Sequence, residues 1–271
     1  MRFLADAEVG PDGSAQVFVR PLEGCYSRAA SLDEALRKVE GKVRLHLDWL
    51  AAHGERVPRE WREGAVRLCE TIHGDWPVNL GDSVALFACD RGPMTDEEIA
   101  RDLQWMAFSW RDFLDLRREV PRGAWGFQPP GALRSPRRIV VHTALVMVWY
   151  VMKLRAPADP SFHSPRGMSM WRDVRAVERG DLSEARLTSL REACTYRLGH
   201  LRPAERAGRV THHRPGGWTG RTEPEDWTAR KIFRRFLWHE RLHMRTMEKL
   251  AGAYRATHSA RETKSLLSAS P

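Results

Sequence analysis

Between Ile232 and Tyr254 the residues Ile232, Phe236, His239, His243, Met247, Leu250 and Tyr254 recur at intervals of 4, 3, 4, 4, 3 and 4. That period is the signature of a helix that buries one continuous face. This stretch therefore needs other helices to pack against, and the sequence supplies three. Thr95 and Glu98 form a capping box ahead of Leu103, Met106, Trp110, Phe113 and Leu114, which predicts a helix to about Arg118. Ser135-Pro136 is an N-cap followed by proline at the first helical position, opening a helix to about Leu154 with the stripe Ile139, His142, Val146, Trp149. Ser183 starts the third, with Leu187, Leu190, Cys194, Leu198 and Leu201. The last runs from about Pro224 to Ala256.

Four amphipathic helices over residues 95–257 predict a four-helix bundle. Two connections, Ala156 to Gly180 and Arg202 to Glu223, exceed ordinary loop lengths and read as crossovers or functional loops. The second contains Thr211-His212-His213-Arg214-Pro215-Gly216-Gly217-Trp218, a candidate for covering a site. Residues 258–271 are polar and small and read as a disordered or frayed tail.

Residues 1–90 follow a different rule. Met1–Val9 and Ser14–Arg20 alternate in period two around Gly10-Pro11-Asp12-Gly13, which predicts a β-hairpin. Ser31 and Glu34 form a second capping box, opening a helix with Leu32, Ala35, Leu36, Val39, Val43, Leu47 and Leu50 on its apolar face. Ala65–His73 and Ser83–Cys89 read as two further strands. The expectation is a small ββαββ module, so the fold class is α+β: that module followed by an all-α four-helix bundle.

The chain is 42% hydrophobic and 29% charged, a soluble globular composition. It has no apolar run of the roughly 18 residues that a membrane span needs. Its N-terminus lacks the apolar core of a signal peptide, which leads us to expect a cytoplasmic protein. Net charge is +9, but of 44 basic residues six are Lys and the other 38 are Arg. They are scattered, and the densest cluster, Arg230-Lys231 with Arg234-Arg235, falls on one polar helix face. This reads as an arginine-rich composition and argues against nucleic acid as a partner. Four cysteines without a CxxC pair argue against a disulfide framework, and Cys89 and Cys194 read as buried thiols.

The chemistry lies in the histidines. Residues four apart share a helix face, so His239 and His243 are placed to grip one ion, and His142 stands in the apolar stripe of another helix. Burying an imidazole without a partner is costly. Three imidazoles with an open fourth position hold a zinc-type ion and activate a bound water. Glu240 lies about 100° round the helix from His239. It is the candidate to orient a ligand or shuttle a proton, the alternative being an exposed helix glutamate. His239-Glu240-Arg241-Leu242-His243 also matches the H-E-x-x-H helix of zinc proteases, with Glu240 as general base. Thr246 and Lys249 stand where the metzincin extension requires Gly and His, and the downstream candidates for a third ligand are His258 and Glu262.

Over residues 95–257 the chain resembles the DinB-like superfamily of metal-binding bundles. His142 followed by Trp149-Tyr150 is similar to that family's second helix. Trp227-Thr228-Ala229-Arg230-Lys231, continuing through Phe236-Leu237-Trp238-His239 to His243, is similar to its last. The resemblance implies His142, His239 and His243 as ligands for Zn or Ni with solvent in the open positions. It also implies thiol-dependent transferases or isomerases using low-molecular-weight thiols such as mycothiol or bacillithiol, and homodimers. Metal-water hydrolysis is the second version of this reading.

Residues 1–55 resemble HicB-like antitoxin domains. Val17-Phe18-Val19-Arg20-Pro21-Leu22-Glu23-Gly24-Cys25 is similar to their strand and L-P-G-C segment, with Glu23 in place of Pro. Ser31-Leu32-Asp33-Glu34-Ala35 is similar to their T-L-E-E-A helix start. This implies a partner-binding fold related to the ribonuclease H topology. The chain is thus expected to be a metal-dependent enzyme acting on a small molecule. The alternative is a non-catalytic protein that binds metal, or a protein partner through its N-terminal module.

Overall fold

The computed structural model describes residues 2–76, 78, 83–154, 165–213 and 224–268. The fold is α+β: a small N-terminal sheet and a mostly helical remainder. Its contacts divide into two compact units. One takes Met1–Phe108, Tyr150–Asp159 and Tyr196–Trp238; the other takes Ser109–Trp149, Pro160–Thr195 and His239–Pro271. No helix among the described residues is long and apolar enough to cross a membrane.

In the first unit, β1 (Arg2–Val9) and β2 (Ala15–Arg20) form the expected hairpin. Its turn is closed by a bond from Gly13 to the Gly10 carbonyl, and Asp12 accepts from both the amide and the hydroxyl of Ser14. Gly13 has φ +80°, the left-handed region that glycine enters freely. A third strand, β3 (Tyr26–Ala29), follows a tight turn and pairs antiparallel with β2. Four residues without clear alternation gave no strand signal. Ser31 caps α1 (Leu32–Ala52), which buries Ala35, Val39, Val43, Leu47 and Leu50 and packs on β2 and β3. A short turn of helix, α2 (Arg59–Arg62), leads into β4 (Ala65–His73), which runs parallel to β1. The sheet order is β3-β2-β1-β4, so the expected ββαββ becomes βββα followed by a single strand.

The strand expected over Ser83–Cys89 does not form. The polar groups of this segment are taken by side chains instead of a strand partner. Val84 and Ala85 donate their N–H groups to Glu8 Oε1 at 2.9 and 3.1 Å, and the Ser83 hydroxyl donates to Glu8 Oε2. The Val84 carbonyl accepts from Lys231 Nζ at 2.7 Å, and the Ala85 carbonyl accepts from Arg234 at 2.9 Å. Phe87 donates to Asp90 at the start of a 3-10 turn over Ala88–Arg91. An apolar run of this length does not distinguish a strand from a segment pinned in this way.

Four longer helices follow. They are α3 (Asp96–Glu119), α4 (Pro136–Met152), α6 (Glu184–Gly199) and α8 (Ala229–Ser268), and the division between the units falls within each of them. The capping box at α3 is reciprocal: Thr95 N–H to Glu98 at 2.9 Å, and Glu98 N–H to the Thr95 hydroxyl at 3.2 Å. The connection expected over Ala156–Gly180 contains a helix, α5 (Pro165–Glu178), which buries Met170, Val174 and Val177. Its Asp173 is 1% exposed and is held by Arg186 and Ser189 of α6.

The second long connection holds α7 (Pro203–Ala207) and a two-stranded ribbon of β5 (Val210–His212) and β6 (Glu225–Trp227). Of the segment 211–218 proposed as a cover, only Thr211, His212 and His213 lie among the described residues. Because Glu225–Trp227 pairs as β6, α8 does not begin at Pro224. It begins at Ala229, where the Thr228 hydroxyl accepts from the Lys231 amide, and it continues to Ser268.

The basic cluster at the start of α8 is not a solvated face. Lys231, Arg234 and Arg235 are buried. Lys231 and Arg235 share Glu225 Oε1 at 3.0 and 3.1 Å, and Arg234 pairs with Asp90 at 2.6 Å. Buried charges persist when paired and hydrogen-bonded, so these cations are internal fasteners of the first unit. Burial pushes the Lys231 ammonium down to about 8, with Glu225 opposing the shift.

Candidate metal centre

In the second unit α4 carries His142 in its second turn, and α8 carries His239 and His243 one turn apart. The three expected histidines come together. His239 Nε2 lies 3.0 Å from His142 Nε2 and 3.0 Å from His243 Nε2. One ligand atom from each lies within 4.8 Å of the others. His239 is buried, while His142 and His243 are half-buried.

Burial pushes the His142 imidazolium down to about 4, and the positive charge of Arg134 adds to the shift. At neutral pH this ring is therefore uncharged and keeps a lone pair to donate. Two zinc–imidazole bonds of about 2.0–2.1 Å at a tetrahedral angle place their nitrogens roughly 3.3 Å apart. The observed separations are close to that. The donor set, three ring nitrogens converging on one point, fits a metal ion that accepts imidazole ligands.

Glu240 is not an exposed helix glutamate. It is 1% exposed, and Arg191 of α6 donates to Oε2 at 2.7 Å and to Oε1 at 3.4 Å. Burial raises its pKa; Arg191 and a hydrogen bond from Ser109 oppose the rise. The third histidine of the cluster lies upstream on α4. His258, one of the downstream candidates, bonds the Tyr254 carbonyl and stacks on the Tyr254 ring at 3.8 Å. The side chain of the other, Glu262, lies outside the described residues. In a zinc-protease helix the glutamate at the Glu240 position is the general base; here its carboxylate is engaged by Arg191.

Sequence reasoning missed Arg191. The signal was there: Leu187, Leu190, Arg191, Cys194 and Leu198 fall on one face, with a charge at a stripe position. A charge in such a position demands a buried partner.

A family model described as the DinB superfamily matches residues 106–247, a span that includes all three histidines. The chain belongs to the DinB superfamily. The match begins after the N-terminal sheet, so that part of the chain stands outside it. No curated protein and no solved structure yields a match. In this DinB-superfamily protein the matched region covers α4, α6 and the histidine-bearing turns of α8. Family membership and the geometry of the histidines therefore bear on the same residues.

Proposed function

We propose that this chain is a divalent-metal-dependent enzyme in which His142, His239 and His243 hold Zn or Ni. The observation that carries the proposal is the convergence of three Nε2 atoms from two helices, in a family that is typically metal-binding. A divalent ion held there supplies Lewis acidity, lowering the pKa of a coordinated water or thiol toward neutrality. That chemistry suits a thiol-dependent transferase or a metal-water hydrolase acting on a small molecule. The chain's own residues do the holding. His142 stays neutral, His239 anchors the buried side, and the half-buried faces of His142 and His243 leave room for solvent or substrate. Glu240, engaged by Arg191, is read as orienting the ligand-bearing turn. We read α3, α4, α6 and α8 as the four-helix bundle of the family.

The N-terminal sheet is read as a HicB-like, partner-binding module. Its order β3-β2-β1-β4, with β4 parallel to β1, supports a relation to the ribonuclease H topology.

The test is elemental analysis of tag-free protein beside His142→Ala and His239→Ala. About one Zn or Ni per chain in the wild type, absent from both variants, is expected, and assays with low-molecular-weight thiols and hydrolase substrates then follow. A wild type that stays metal-free after reconstitution refutes the enzyme reading and leaves the non-catalytic, partner-binding one.

A further inference from the structure

From the contacts of Arg191 we infer that the Arg191–Glu240 pair is the positioning device that fixes the three histidines in register before an ion arrives. The inference rests on the metal reading above. Both side chains are almost fully buried, at 4% and 1% exposure. The Arg191 guanidinium reaches three other helices. It pairs with Glu240 of α8 at 2.7 Å, touches Met147 Sδ of α4 at 3.3 Å, and lies 5.1 Å from the Trp110 ring centroid of α3. Both ligand-bearing helices thus meet on one planar cation. Glu240 in turn sits between the ligands His239 and His243 in sequence, so whatever holds its carboxylate holds the rotation of that turn.

The geometry makes rotation the sensitive variable. A ligand nitrogen about 6 Å from the helix axis moves by about 1 Å when the helix rotates by about 10°. Metal–ligand distances tolerate about 0.2 Å. Apolar packing alone is non-directional, whereas a two-point guanidinium–carboxylate contact fixes both angle and distance. An apolar pair of similar volume would fill the same space without specifying the angle.

The test titrates Co(II) into metal-stripped, full-length protein, reading the visible absorption bands and the affinity by chelator competition, with a melting curve on each sample. The variants are Arg191→Met/Glu240→Leu, in which the buried pair is replaced by apolar groups of similar volume, and Arg191→Lys, which keeps the charge but loses the fork. The wild type is expected to bind one Co(II) per chain. The double variant should bind about 10–100-fold more weakly with shifted bands while still melting cooperatively, and Arg191→Lys should fall between. Wild-type affinity and bands in the double variant, or in Arg191→Lys if the double variant does not fold, overturn this inference and leave the metal site standing. No Co(II) uptake by the wild type overturns both.

Discussion

Replacing Glu8 tests why residues 83–87 adopt their course. The Glu8 carboxylate is 2% exposed and takes three donors from one stretch of chain: the Ser83 hydroxyl and the Val84 and Ala85 amides, the last two on a single oxygen. Hydrogen bonds to a charged acceptor contribute about 1.5–3 kcal/mol each, and a stranded buried donor costs about 1–3 kcal/mol. The Ser83 hydroxyl can rotate to a new partner, but the two amides cannot. Glu8→Ala should therefore destabilise by about 4 kcal/mol, counting about 2 kcal/mol for each stranded amide. Glu8→Gln keeps a carbonyl oxygen for both amides and loses only the charge and the Ser83 contact, so about 1–2 kcal/mol is expected. Urea unfolding followed by far-UV circular dichroism gives the difference, and hydrogen exchange at Val84 and Ala85 locates it. The reasoning fails if Glu8→Ala costs less than about 1 kcal/mol, or if the two variants cost the same. It also fails if the two amides keep full protection in Glu8→Ala.

Two further outcomes follow from buried titratable groups. Lys231 is held down to about 8 in the folded chain, below its ordinary value. Between that value and the ordinary lysine range the unfolded chain binds the extra proton. Stability should therefore rise with pH across this window and be lost as pH falls back through about 8, by an amount on the order of 3 kcal/mol. Denaturation curves from pH 7 to 10 for wild type and Lys231→Met should diverge in that sense, and parallel curves would contradict it. Among the thiols, Cys194 is buried and pushed up to about 12, Cys25 is buried, and Cys89 lies beside Asp6 with its pKa raised by burial. Only Cys69 is exposed. Ellman's reagent should then find one fast thiol in the native protein, and Cys69→Ser should remove it; a fast phase that survives would mean a second thiol is open.

Much of this architecture was legible because it rests on local rules. The Ser31 N-cap, the capping box at Thr95, the Ser135-Pro136 start and the glycine-bearing hairpin turn are set by neighbouring backbone groups, and a sequence displays them directly. The histidines were legible for a related reason: an imidazole in an apolar stripe is a local contradiction that only a distant partner resolves. What stayed hidden depends on residues far away in the chain. Val84 and Ala85 look like a strand until Glu8, Lys231 and Arg234 are seen to take their backbone groups. The arginines and lysine that open α8 look solvated until Asp90 and Glu225 are placed beside them. The helix α5 was obscured by its arginines, although Ser164-Pro165 repeats the start signal of Ser135-Pro136.

The first unit draws its residues from three separated stretches of the chain, and this bears on how a ribosome must deliver it. The sheet strands and Glu8 emerge first, but Lys231 and Arg234, which take the carbonyls of Val84 and Ala85, come almost 150 residues later. At typical translation rates of about 5–20 residues per second, that gap lasts roughly seven to thirty seconds. For that interval the nascent sheet lacks the Arg234 guanidinium that lies over Phe18 and Phe87 and the Trp238 ring that packs edge-on against Phe18 and Tyr26. A fragment ending near residue 90 would be frozen in the same unfinished state. The N-terminal segment is therefore a poor candidate for excision as a portable cassette, and a reporter fused after it should record chaperone engagement that ends only when α8 has left the exit tunnel.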